Sequence, residues 1–142
     1  MGAISDWLRA LIRRIGELLR HALGRRSPNL WIEMLAFTGD SIYVGEPFPL
    51  EAKIWNEGKS ASAATQVVIL ALDSSYNKVG TTTAPVGAIQ PANYVRVKLT
   101  HPGLPRVETY LLRATVDPQN TVPESNEHDN EHTLTVYVKR RP

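Results

Sequence analysis

Two hydrophobic periods divide the chain. Across residues 4–23 the apolar side chains Ile4, Leu8, Leu11, Ile15, Leu18 and Ala22 recur at spacings of 4, 3, 4, 3 and 4, the heptad-like stripe of an amphipathic helix. Trp7, Ile12 and Leu19 widen that stripe, while Arg9, Arg13, Arg14, Glu17 and Arg20 fall largely on the polar side. Ser5 or Asp6 suits the N-cap, Gly24 suits the C′ position, and Ser27-Pro28 ends the element. A helix of about 18–20 residues spans roughly 27–30 Å. Alone in water it is marginal, so its apolar face needs a partner.

Beyond Pro28 the period becomes two. Leu30, Ile32 and Met34 alternate with Trp31, Glu33 and Leu35, and Phe48, Leu50, Ala52 and Ile54 alternate with Glu51, Lys53 and Trp55. Pro49 predicts that this second strand begins at Leu50 or has an exposed edge there. Asn56-Glu57-Gly58 predicts a turn in which glycine supplies a positive φ. Gln66 to Leu72 is apolar on both faces, which predicts a central strand or one covered by the helix or by a second subunit. Thr81 to Thr83 is a short strand, and in the next one Val95, Val97 and Leu99 face inward against outward Arg96 and Lys98. Tyr110, Leu112, Ala114 and Val116 line the penultimate strand, which Pro118 terminates, and Thr133 to Val138 forms the last. The tail from Lys139 to Pro142 is expected to be solvated and frayed. Seven short strands with frequent turn signals predict an all-β fold: an antiparallel, immunoglobulin-like β-sandwich preceded by one amphipathic helix. Domain organisation follows as residues 1–27, the helix, and residues 28–142, the sandwich.

The C-terminal pattern is more specific. Val116-Asp117-Pro118-Gln119-Asn120, then Glu124-Ser125-Asn126-Glu127 and Asn130, and finally Thr133-Leu134-Thr135-Val136 resemble the closing signature of CARDB domains (cell-adhesion-related domain found in bacteria). Gly45-Glu46-Pro47 and Gln90-Pro91-Ala92-Asn93 are similar to turns of the same family. The resemblance covers about residues 29–138 and leaves the first 27 outside. It implies a non-catalytic structural or adhesion module that binds protein or carbohydrate at a cell surface or outside the cell.

Charge sharpens the division. Residues 1–27 carry six arginines against Asp6 and Glu17, whereas residues 28–142 carry ten basic and twelve acidic residues. A basic segment is thus attached to a mildly acidic body. The first 23 residues hold no long apolar run uninterrupted by arginine, so neither a secretory signal nor a spanning helix is expected there. The helix face of Ile4, Trp7, Leu8, Leu11, Ile12, Ile15, Leu18, Leu19 and Ala22 has three candidate partners: its own sandwich, further copies in a homo-oligomeric bundle, or a membrane surface, which the arginines and Trp7 suit. Self-association is the favoured reading. Docking onto a larger particle, such as a virion or envelope assembly, is a further alternative. Nucleic acid is disfavoured, because aromatic interleaving and any known motif are missing.

Catalytic signatures are missing too: the chain has no cysteine, no phosphate-binding glycine loop and no nucleophile elbow. His128 and His132 are four apart, but on a loop entering a strand that spacing does not align them. Asp117, Asn120, Glu124, Glu127 and Asp129 offer the oxygen donors that calcium prefers. The same residue types also fold a loop by bonding its own backbone amides. Tyr110, two residues before Leu112, occupies the place of a tyrosine-corner residue, whose hydroxyl binds backbone before the strand. Trp31 and Trp55 are assigned to outward faces, where they either contact carbohydrate or protein or lie beneath the helix or a neighbouring subunit.

Overall fold

In the computed structural model of the protein, residues 6–15, 28–116 and 131–142 are described. Residues 6–15 are helical, here α1. Eight strands follow among the described residues: β1 Leu30–Phe37, β2 Ile42–Tyr43, β3 Phe48–Asn56, β4 Thr65–Leu72, β5 Lys78–Val86, β6 Asn93–His101, β7 Thr109–Val116 and β8 Glu131–Lys139. They form two sheets, β1-β3-β6 and β2-β8-β7-β4-β5. The alternating inward residues of both sheets build one core. Leu50, Ala52 and Ile54 of β3 and Val67, Ile69 and Ala71 of β4 are buried in it, as are Leu112, Ala114 and Val116 of β7. Val95, Val97 and Leu99 of the edge strand β6 are only half-buried against it.

Eight strands replace the expected seven because β2 is too short for any periodicity to reveal. Its pairing with β8 is parallel, so the sandwich is not wholly antiparallel. In β1 the register shifts between Ile32 and Met34. This bulge gives Leu35 the core position that strict alternation assigns to Met34. The expected short strand at Thr81–Thr83 is the middle of the longer β5, which runs through Pro85. As the sheet's edge strand, β5 tolerates a residue without a ladder donor.

Pro49 lies inside β3, which is central, and the strand begins at Phe48. The Thr38 amide donates to the Pro49 carbonyl (3.3 Å). Amide and carbonyl of one strand residue point to the same side. The donor that proline lacks would therefore face β1, just past its last pair, Phe37 with Leu50. β4 is central, as its apolar run predicts.

The turn after β3 does not use a left-handed glycine, because Gly58 is not among the residues with positive φ. Instead the Gly58 amide donates to Asn56 Oδ1 (2.9 Å). Nor is the tail frayed. Arg141 forms a two-bond pair with Glu46 (2.8 and 2.9 Å) and lies over the Tyr43 ring (4.2 Å). Tyr110 makes the predicted corner: its hydroxyl accepts from the Arg106 amide (3.0 Å) and donates to the Arg106 carbonyl (3.2 Å). His101 is buried and stacked on Phe48, with ring centroids 4.7 Å apart.

Candidate functional site

Three surfaces present chemistry beyond what the core requires. The first is α1. All ten described helical residues are exposed. Trp7 is 66%, Ile12 61% and Ile15 48% exposed, and Leu8 and Leu11 are exposed as well. Burying large apolar side chains stabilises by roughly 1.5–3 kcal/mol each, so this stripe is a strong driving force left unused by the described fold. Arg9, Arg13 and Arg14 are exposed on the same helix. Ile4, Leu18, Leu19 and Ala22, assigned to the same face, lie outside the described residues.

The second surface is the outer face of the three-stranded sheet. Register places Trp31, Trp55 and Tyr94 in one row across β1, β3 and β6. The Trp55 and Tyr94 rings are 4.8 Å apart, and the Lys53 ammonium lies over both, 5.1 and 4.4 Å from their centroids. Glu33 accepts from Trp55 Nε1 (2.9 Å) and pairs with Lys53 (2.9 Å). These two donors, the indole first, hold its carboxyl below the usual carboxylate range. Beside them Arg96 meets Glu51 at 3.6 Å. Lys53 and Glu33 therefore satisfy one another and the Trp55 indole, which is how cross-strand pairs stabilise a sheet. Trp31 and Trp55 are half-buried, and Trp31 Nε1 is enclosed without a hydrogen-bond partner among the described residues.

The third surface lies at the β4–β5 hairpin. The Tyr76 amide donates to the Asp73 carbonyl, and the Asp73 amide to the Asn77 carbonyl (2.9 Å each). Asp73 Oδ1 accepts from the amides of Ser75 and Asn77, also at 2.9 Å. The Asn77 amide is the main cause of the lowered Asp73 pKa. Ser74 donates through its amide and hydroxyl to Glu108 (3.0 and 2.8 Å), and these bonds lower the Glu108 pKa. Arg106 then bridges Glu108 (3.1 Å) and Asp73 (3.4 Å). Within this braced turn Tyr76 has φ 63° and is 75% exposed. Beside it opens a cavity of about 270 Å³, lined among others by Thr109, Leu111 and Thr135. Sequence analysis missed this site, because a tyrosine in a turn carries no sign of its backbone conformation.

The proposed calcium donors Asp117, Asn120, Glu124, Glu127 and Asp129 lie outside the described residues. Among the described residues no group of three histidine or acidic side chains is placed to hold a metal ion. No described helix is long and apolar enough to cross a membrane.

Comparison with known proteins agrees with the fold. The CARDB family model matches residues 27–134. Similar solved structures include the CARDB domain of a Pyrococcus furiosus protein in complex with di-metal ions, at 24% identity and TM-score 0.61, covering 80% of this chain and 90% of that one. Another is a domain of a candidate cell surface protein from Methanosarcina acetivorans, at 26% identity and TM-score 0.62, covering 81% and 95%. A β-glucuronidase of glycoside hydrolase family 2 matches at 13% identity and TM-score 0.51, but over only 11% of its own chain, a likeness of fold alone. No curated protein sequence matches the chain.

Proposed function

The chain belongs to the CARDB family, and on that premise we propose that it is a non-catalytic, adhesion-type interaction module that self-associates through its N-terminal helix. The observation that carries the reading is the uncovered stripe of Trp7, Leu8, Leu11, Ile12 and Ile15 on α1. Their heptad-like spacing suits packing against identical helices, where each apolar knob enters a hole on its neighbour. Joining several sandwiches in this way multiplies weak contacts into avidity, which suits an adhesion role.

Sedimentation velocity of the full chain and of the Leu11→Asp/Ile15→Asp variant tests this. The parent is expected as a discrete oligomer and the variant as a folded monomer. A monomeric parent overturns the reading.

A second reading is peripheral attachment to an anionic membrane, favoured by the exposure of Arg9, Arg13 and Arg14 beside Trp7. It predicts binding to phosphatidylserine vesicles that weakens with salt. Vesicle binding by a monomeric parent, lost in the same variant, would replace the first reading with this one.

A further inference from the structure

Tyr76 bears a backbone cost that the fold does not need. A left-handed conformation is unfavourable for a residue other than glycine because its Cβ approaches the following carbonyl, and at this hairpin position glycine would avoid the cost. The tyrosine ring does not repay that cost by packing, since three quarters of the residue is in solvent. The conformation persists because the turn is over-determined by its bonds to Asp73 and by the Ser74–Glu108–Arg106 brace. Strain of this kind, held rigidly beside a cavity, marks a place where a side chain is being presented.

We propose that the hairpin cavity binds a neutral pyranose ring, with Tyr76 as its stacking platform. The charge of the ligand follows from the polar inventory. Both carboxylates near the cavity, Asp73 and Glu108, are already engaged by Arg106 and by turn amides. Thr109 and Thr135 supply hydroxyls, which pair with neutral donors and acceptors, while Leu111 and the Tyr76 ring supply apolar area. A sugar ring meets both demands, having an apolar C–H face for the aromatic ring and equatorial hydroxyls around its edge. At about 270 Å³ the cavity lies just below the usual range of small-molecule sites, which limits it to one ring. Tyr137 stands opposite Thr109 in the β7–β8 ladder and is 56% exposed, so a second sugar would have a second aromatic surface on the same face.

The experiment is a titration of ¹⁵N-labelled full-length protein with the methyl glycosides of glucose, galactose and mannose and with N-acetylglucosamine. At least one is expected to shift the amides of residues 73–77 and 109–111 with a millimolar midpoint, as befits so small a ligand. Tyr76→Gly should weaken that binding by about tenfold, the value of one aromatic contact, while raising the melting temperature. Tyr76→Phe should retain it, and Thr135→Val should weaken it without unfolding the protein. If none of the four sugars moves these amides, or if Tyr76→Gly binds as tightly as the parent, the proposal is overturned. This site is independent of helix-driven assembly: a monomer that binds sugar would refute only the assembly, and an oligomer that binds none would refute only this site.

Discussion

Asn56 is the polar centre of one end of the sandwich, and its replacement has a cost that can be worked from its bonds. The residue is fully buried at the end of β3. Its Nδ2 donates to the carbonyls of Ser60 (2.8 Å) and Ile89 (2.9 Å), and its Oδ1 accepts from the amides of Asn29 (3.0 Å) and Gly58 (2.9 Å). One side chain thus ties the entry to β1, the loop after β3 and the β5–β6 connection. Each bond contributes a net ~1 kcal/mol. The Ile89 carbonyl keeps a second donor in the Ser62 amide, which limits the loss there. Asn56→Ala should therefore cost about 3–5 kcal/mol, a large part of a typical 5–15 kcal/mol stability.

Asn56→Asp keeps the shape but turns an acceptor toward two carbonyls. It should cost at least as much at neutral pH. The buried acid would have a folded pKa above its unfolded value, so part of the stability returns as pH falls and the protonated carboxyl donates. Urea denaturation followed by tryptophan fluorescence and far-ultraviolet dichroism measures both variants. A loss below ~1 kcal/mol for Asn56→Ala would refute the assignment of this residue as a structural tie.

Ala92 has φ 61° in a turn closed by the Asn93 amide and the Gln90 carbonyl (3.2 Å), where glycine is favoured after proline. Ala92→Gly should stabilise by about 1 kcal/mol in the same urea assay. Burial lowers the pKa of His101 from its ordinary 6.5, so the folded state resists its protonation. Its contribution is present above pH 6.5 and is lost as pH falls from there toward the lower folded value. The urea midpoint should accordingly drop between pH 7.5 and 5.5 in the parent, and drop less in His101→Phe, whose ring preserves the stack on Phe48. For the candidate calcium donors Asp117, Asn120, Glu124, Glu127 and Asp129, the expectation that such residue types bond backbone amides instead predicts a melting temperature unaltered between chelator and excess calcium. A site held at a hundredfold excess over its Kd would instead add about 2.7 kcal/mol.

The long strands were legible because their inward residues are apolar at every second position. Phe48 to Ile54 and Tyr110 to Val116 show this most clearly, and the corner role of Tyr110 followed from its place in the strand. Where a local event changes the count, sequence pattern fails. Nothing in Trp-Ile-Glu-Met announces the bulge that exchanges Met34 for Leu35, and two residues are too few to display β2. Proline is a weaker strand breaker than its missing donor suggests, because Pro49 lies just past the last β1–β3 pair and Pro85 lies in the edge strand β5. A chain terminus is expected to fray, yet Glu46, ninety-five positions away, pairs with Arg141. The apolar stripe of α1 was visible at once, whereas the Tyr76 site depends on a backbone angle and a cross-strand neighbourhood that no linear pattern encodes.

Solution mass by light scattering, for residues 1–142 and for residues 28–142, addresses the assembly most directly. The shorter chain keeps every core residue among those described, the first of which is Leu30, and should fold. A discrete multiple of 15.8 kDa for the full chain, with a monomer for residues 28–142, is the result expected of a helix-driven oligomer. A monomeric full chain across the concentration range would contradict it.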